Sequence, residues 1–175
     1  MDNQQELFPI VDLDGRVLGS ITRGEAHCGT KVLHPVVHLH LLNSRGELYL
    51  QRRPLWKDIQ PGKWDTACGG HVAYGEDVAH ALVREVMEEL GVSHFSPVLR
   101  VTYVFEGPRE RELVYVYTTV YDGPVTPSGD ELDGGRFWTV GEISDAMGQG
   151  LFTPNFESEY QQYILPYHQA LSRCS

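Results

Sequence analysis

Long apolar runs are missing from this sequence. Its most hydrophobic stretch, VLHPVVHLHLL at 32–42, carries three histidines and a proline, so no segment is suited to crossing a bilayer. Cysteine is scarce: Cys28, Cys68 and Cys174 form an odd set without a CxxC pair, which excludes a disulfide framework and points to a reducing compartment. Basic residues are outnumbered, with Lys plus Arg 14 against Asp plus Glu 24, giving a formal charge of −10. A polyanion would be repelled by that balance, which excludes a general nucleic-acid binder. A small anionic substrate remains open if metal ions supply positive charge. No repeat, low-complexity tract or long linker interrupts the 175 residues, so a single domain over 1–175 is expected, large enough to bury its own core. The opening MDNQQELFPI has no basic region followed by an apolar run, and a cytoplasmic location without membrane contact is expected.

What is present is a chain of strands flanked by helices. LFPIVDLDGRVLGSIT, about 7–22, reads as a hairpin turning at Asp14-Gly15. RGEAHCGTKVLHP reads as a connection, VVHLHLLN and ELYLQRR as strands around Ser44-Arg45-Gly46, and WKDIQPGKW as a loop. WDTACGGHV reads as one short strand ending in glycines. The clearest helix runs from Asp77 to Leu90, where Val78, Ala81, Leu82, Val86 and Leu90 recur at helical spacing and Gly91 stands at the C-terminal cap. VLRVTYVFE and ELVYVYTTVYD form two long strands, RFWTV another, and helices at about 140–148 and 155–171 close the chain. A mixed sheet covered by helices is the architecture this order implies.

Glu85, Glu88 and Glu89 stand at i, i+3 and i+4, so three carboxylates share one helical face. They repel one another unless a cation with oxygen ligands neutralises them. Arg84 precedes Glu88 by four residues and can hold that carboxylate, while Glu76 stands at the helix start, where the dipole favours an anion and a metal is within reach. Glutamates alone are equally readable as a solvated acidic face. The whole segment is more specific: Gly70, five residues, Glu76, seven residues, then Arg-Glu-Val-Met-Glu-Glu-Leu-Gly-Val.

In this segment, 70–92, the sequence matches the Nudix box and resembles the Nudix hydrolases. The resemblance implies an α/β/α sandwich around a mixed sheet and cleavage of a small diphosphate substrate with Mg²⁺ or Mn²⁺. It implies metal ligation by Glu85, Glu88 and Glu89, with Glu76 and Arg84 in support. A general base is also required, and Glu131 in SGDELDGG is the candidate outside the box, with an ordinary polar loop residue as the equal alternative.

A second resemblance is to the isopentenyl diphosphate isomerase branch of the same superfamily, which binds a metal through three histidines and two glutamates. His27 and His34 reproduce its six-residue separation, His71 follows the box glycine, and Glu110 and Glu112 match its carboxylates. Residues two apart on a strand point to one face, as joint ligation requires. Neutral imidazoles suit Zn²⁺ or Mn²⁺. The resemblance also implies Arg53 and Lys57 as a diphosphate clamp. Cys28 is a minor candidate ligand beside His27; His38 and His40 fall outside the pattern and read as core or cleft residues.

The isomerase reaction needs an acid two residues before the third histidine, and that position is Gly69, which has no proton to give. Cys68, one residue away, should face the opposite side of its strand and reads as a buried small hydrophobe. An aromatic of the isomerase's C-terminal region falls imperfectly near Tyr160. Hydrolysis of a nucleoside diphosphate derivative or a prenyl diphosphate is therefore expected, with an isomerase-type enzyme and a non-catalytic diphosphate sensor as alternatives. Trp56, Trp64, Tyr103 and Phe105 are candidates to shape the cleft. A monomer and a homodimer are both open.

Overall fold

The computed structural model of the protein describes residues 3–57, 60–129 and 132–174. The chain opens with β1 (Leu7–Val11) and β2 (Val17–Thr22), a two-stranded sheet of its own. The expected turn is there. Asp12 Oδ1 accepts from the amides of Asp14 and Arg16, both at 2.9 Å, and Gly15 takes a φ of 81°, where glycine sits without strain. The segment beyond is not a plain connection. Thr22 and Glu25 form a capping box that starts the one-turn α1 (Arg23–Ala26), and β3 (Leu33–Leu42) begins early enough to place His34 on a strand.

β3 organises the main sheet. It runs parallel to β8 (Arg111–Val120) along its whole length, from Leu33↔Arg111 to Leu42↔Val120. It pairs antiparallel with β6 (Cys68–His71) over Val36 to Leu39, and with β4 (Leu48–Arg52) at Leu42. Outside these lie β5 (Trp64–Thr66) and β9 (Gly135–Trp138) on β4, and β7 (Val98–Glu106) antiparallel on β8.

Side-chain alternation along β3 assigns two layers to the sheet. Val37, Leu39 and Leu41 join Cys68 and Val72 beneath α2 (Val78–Leu90), whose Ala81, Leu82, Val86 and Leu90 fill the gap. Val36 and Leu42, with Val114 and Val116, pack under α3 (Val140–Ala146), α4 (Pro154–Glu159), a π-helical turn (Tyr160–Ile164) and α5 (Leu165–Arg173), through Ile143, Phe156 and Ile164. Helices on both faces of a mixed sheet make the expected α/β/α sandwich. With both faces covered, β3 is buried almost end to end, which is why it is the most hydrophobic stretch of the sequence. Each leucine so buried contributes about 1.5–3 kcal/mol.

α2 starts and stops where its periodicity says. Asp77 caps it by accepting from the His80 amide at 2.8 Å, and Gly91 closes it with a φ of 66°. Three departures have local causes. WDTACGGHV splits at Ala67 because its halves pair with different strands, β5 with β4 and β6 with β3. RFWTV ends at Trp138 because Thr139 becomes the cap of α3, accepting from the Glu142 amide, and α3 itself ends at Ala146 ahead of Gly148, whose φ is 73°. The last helix is broken by a π-helical turn just before Pro166, which lacks an amide donor and crowds the carbonyl four residues back.

Candidate functional site

Arg84 ties the acidic face of α2 to the strand ahead of it. Its guanidinium donates to both oxygens of Glu76, each at 2.9 Å, to Glu85 Oε1 at 2.7 Å, to Glu88 Oε2 at 3.3 Å and to the His71 carbonyl at 3.0 Å. The hydrogen bonds from Arg84 hold the Glu76 carboxyl below the usual carboxylate range. Glu76 thus gives both oxygens to Arg84, a position from which it aligns the arginine. Glu85 sits directly over Gly70, where any Cβ would run into its carboxylate. Glu89 is buried, and its Oε2 accepts from the Gly69 amide at 3.3 Å. The box glycine is therefore a cradle for a carboxylate. The same glutamates do not converge on one point among the described residues; Arg84 lies between Glu85 and Glu88.

The five residues of the second pattern come together from four separate places: His27 after α1, His34 on β3, His71 at the end of β6, and Glu110 and Glu112 just ahead of and at the start of β8. The ligand atoms of the three histidines lie within 4.8 Å of one another. His27 Nε2 is 3.1 Å from His71 Nε2 and 3.4 Å from Glu110 Oε2, and His71 Nε2 is 3.8 Å from Glu112 Oε1. Parallel register sets His34 beside Glu112. His34 donates from Nδ1 to the Val32 carbonyl at 3.0 Å, which leaves its buried Nε2 as a lone pair with no partner among the described residues. Phe8 of the N-terminal hairpin stacks on His71 at 4.5 Å and on His34 at 5.6 Å between ring centroids.

Burial governs the electrostatics here. It pushes the His34 and His71 imidazoles below their ordinary range, so both are neutral donors of lone pairs, and it pushes the Glu112 carboxyl up to about 7. Convergent neutral imidazoles beside carboxylates are a donor set for a borderline divalent ion such as Zn²⁺ or Mn²⁺. Cys28 is not aimed at this set; its thiol donates to the Glu25 carbonyl at 3.1 Å, and the residue is exposed.

Arg53 lies half-buried against Asp65 at 3.5 Å, and Asp65 in turn accepts from the Thr153 hydroxyl at 2.8 Å. Lys57 stands over the exposed Trp56 ring at 4.9 Å. Trp56 and Leu55 face Gly129, Leu132 and Asp133 across a depression of about 230 Å³. Glu131 lies outside the described residues. Trp64 packs edge-on against Trp138 at 5.1 Å and Phe105 packs into the same core layer. Tyr160 does not face a cleft. It is buried, with its hydroxyl 2.8 Å from His168 Nδ1. Cys68 is buried beneath α2, on the face opposite to Gly69.

One network escapes a reading of the sequence. Glu159, at the end of α4, accepts from His38 Nδ1 at 2.8 Å, His40 Nε2 at 2.6 Å and the Tyr103 hydroxyl at 2.6 Å. The period-two spacing of His34, His38 and His40 signals a shared face, but nothing near them in sequence announces a carboxylate more than a hundred residues on.

The profile of the NUDIX domain matches residues 32–156. The chain is 39% identical over 140 residues, 75% of this chain and 78% of its relative, to an uncharacterized Nudix hydrolase of Pseudomonas aeruginosa. It is 35% identical over 133 residues, 73% of this chain and 74% of the relative, to an isopentenyl-diphosphate Delta-isomerase of Mycolicibacterium vanbaalenii. Among solved structures, DR0079 from Deinococcus radiodurans superposes with a TM-score of 0.77 at 23% identity, covering 90% of this chain and 98% of that one. With a matched profile over most of its length and the same sandwich fold, the chain belongs to the Nudix family.

Proposed function

We propose that the protein is a metal-dependent hydrolase of a small diphosphate substrate. Glu85, Glu88 and Glu89 would hold Mg²⁺ or Mn²⁺, which when bound neutralises phosphate oxygens and acidifies a water. The observation that carries this reading is the Glu76–Arg84–Glu85 assembly over Gly70, a preorganised row of carboxylates whose spacing is kept by one guanidinium. Arg84 lines up Glu76, Glu85 and Glu88, and the box carboxylates would draw together around a bound cation. Arg53 and Lys57 suit the diphosphate, one as a fixed fork and the other as a mobile ammonium. A glutamate takes the proton of the attacking water, with Glu131 the candidate outside the box. The reduced thiols of Cys28, Cys68 and Cys174 suit a cytoplasmic enzyme.

The cluster of His27, His34, His71, Glu110 and Glu112 fits a second divalent ion, Zn²⁺ or Mn²⁺, because the orphaned Nε2 of His34 is a buried lone pair that a cation would satisfy. An isomerase reading fails on chemistry. Gly69 occupies the acid's position, and the Cys68 thiol is buried under α2 on the other face.

A time course by phosphorus and proton NMR with Mg²⁺ or Mn²⁺, on ADP-ribose and separately on isopentenyl diphosphate, tests the assignment. Cleavage of a phosphate linkage that disappears in Glu88→Gln supports it. Migration of the double bond with the diphosphate intact refutes it.

A further inference from the structure

Phe8 is fully buried, yet it belongs neither to the two core layers nor to the small cluster of Val11, Leu33 and Leu113. Its aromatic contacts are the three imidazoles of the second pattern. The ring lies 4.5 Å from that of His71 at an interplanar angle of 3° and 5.6 Å from that of His34 at 17°, and it meets His27 edge-on at 6.0 Å, all between centroids. The backbone holds this placement. The Arg23 amide donates to the Glu6 carbonyl at 2.7 Å, the Tyr74 amide donates to the Leu7 carbonyl at 2.8 Å, and Ile21 pairs with Phe8 across the hairpin. A two-stranded hairpin is marginal by itself, so it has to bury apolar surface against the sandwich. This one commits its only aromatic side chain to histidines.

A histidine ligand is ordinarily oriented by a hydrogen bond on the ring nitrogen that does not face the metal. His34 has one, from Nδ1 to the Val32 carbonyl. His71 has none: among the described residues its ring makes polar contacts through Nε2 alone, to His27 and Glu112. The flat stack of Phe8 takes that place. It sets the plane of the His71 ring, and the His34 ring lies at 14° to that plane. The contact also distinguishes loaded rings from empty ones. An imidazole that lends its lone pair to a cation becomes electron-poor, and the negative face of a phenyl ring attracts it more strongly than a free imidazole. Only an interaction that differs between two states moves the equilibrium between them, and this one differs. A leucine would exclude water from the rings but has no such face.

We propose that Phe8 is a positioning residue for the histidine site, holding the His71 ring in its plane and raising the affinity of the cluster for Zn²⁺ or Mn²⁺. The inference rests on the reading of His27, His34, His71, Glu110 and Glu112 as a metal site and adds to it a residue from outside the donor set. Phe8 offers no donor atom, so it acts through the rings on which it stacks. Its sequence neighbourhood, LFPIV, gives no sign of this. The alternation of a strand predicts an apolar residue facing a core, and only the fold puts histidines beneath it.

Zn²⁺ titration of the full chain in competition with a chromophoric chelator tests this, for wild type, Phe8→Leu, His71→Ala and the double variant. Phe8→Leu should bind Zn²⁺ roughly tenfold more weakly, as when an outer-shell partner of a metal ligand is removed. In the His71→Ala background the same substitution should matter much less, because the ring through which Phe8 acts is gone. Phe8→Ile, whose branched side chain suits a strand, carries the test if the leucine variant does not fold. Val11→Ala is the control for a loosened hairpin. It removes packing against Leu33 and Leu113, so it should lower the melting temperature and leave Zn²⁺ affinity as it is. Undiminished affinity in Phe8→Leu, an equal loss in Val11→Ala, or the same loss with and without the His71 ring overturns the proposal. His71→Ala alone judges the metal-site reading: affinity equal to wild type there removes the site, whereas weak binding there with tight binding in Phe8→Leu removes only the role of Phe8.

Discussion

Replacing Glu159 by glutamine should lower stability by an amount that depends on pH in a defined way. His38 is raised from 6.5 to about 9 by its buried partner. A raised pKa on a base contributes stability that is complete below the unfolded value and fades as pH climbs through the folded one. Linkage from those two values gives about 3 kcal/mol at pH 6.5, about 2 at pH 7.5 and a few tenths at pH 9. Glu159 itself is depressed, so its share is present above the unfolded carboxylate value and is lost only in acid. The pair therefore stabilises most between roughly pH 4.5 and 6.5. Urea unfolding of wild type and Glu159→Gln at pH 5.5, 6.5, 7.5 and 9 reads the difference directly. The gap should be about 3 kcal/mol near pH 6, equivalent to roughly 6–12 °C in Tm, and should narrow steadily towards pH 9. A gap that stays constant over this range would show that glutamine merely disturbs packing and that no charged pair exists.

Gly70→Ala puts a methyl where the Glu85 carboxylate sits, and turnover should fall on the order of 100-fold with the melting temperature little changed; circular dichroism with a phosphate-release assay checks both. Arg84→Lys loses the fork that grips Glu76 through two bonds, so activity should drop while stability falls by only about 1 kcal/mol, because the guanidinium is a third exposed. His71→Ala should reduce bound Zn²⁺ or Mn²⁺ after dialysis by at least roughly tenfold, read by elemental analysis. Unchanged metal content would return the histidines to a structural role.

Much of the site was legible because it depends on local spacing. The i, i+3, i+4 glutamates, the capping glycine of α2 and the paired carboxylates of 110–112 all follow from repeats of 3.6 or 2 residues. The box glycine was legible as a motif, but its reason, the Glu85 carboxylate lying where a Cβ would go, emerges only once β6 and α2 are side by side. Two readings failed for contact reasons. Tyr160 fell only imperfectly on the isomerase's C-terminal aromatic, and its hydroxyl is spent on His168 in the core. The strand at 64–72 looked continuous, yet two partner strands pull it in different directions at Ala67. The Glu159 network was illegible in kind: a π-helical turn at Tyr160–Ile164 follows the carboxylate directly, and no periodicity in VVHLHLL encodes what packs above it.

β6 is only four residues long, and its alternation divides duties between two sides of one sheet: Cys68 and Gly70 towards α2, Gly69 and His71 towards the opposite layer. An insertion or deletion in the link at Ala67 would exchange the two sets at a stroke, turning the His71 imidazole towards α2 and the Cys68 thiol towards the opposite layer. Divergence at this strand is thus confined to substitutions, taken one position at a time. A change at residue 69 would set a side chain against the His38 ring, since a Cβ there would lie 3.2 Å from His38 Cδ2, while the neighbouring cysteine cannot be recruited without dismantling the seat of Glu85.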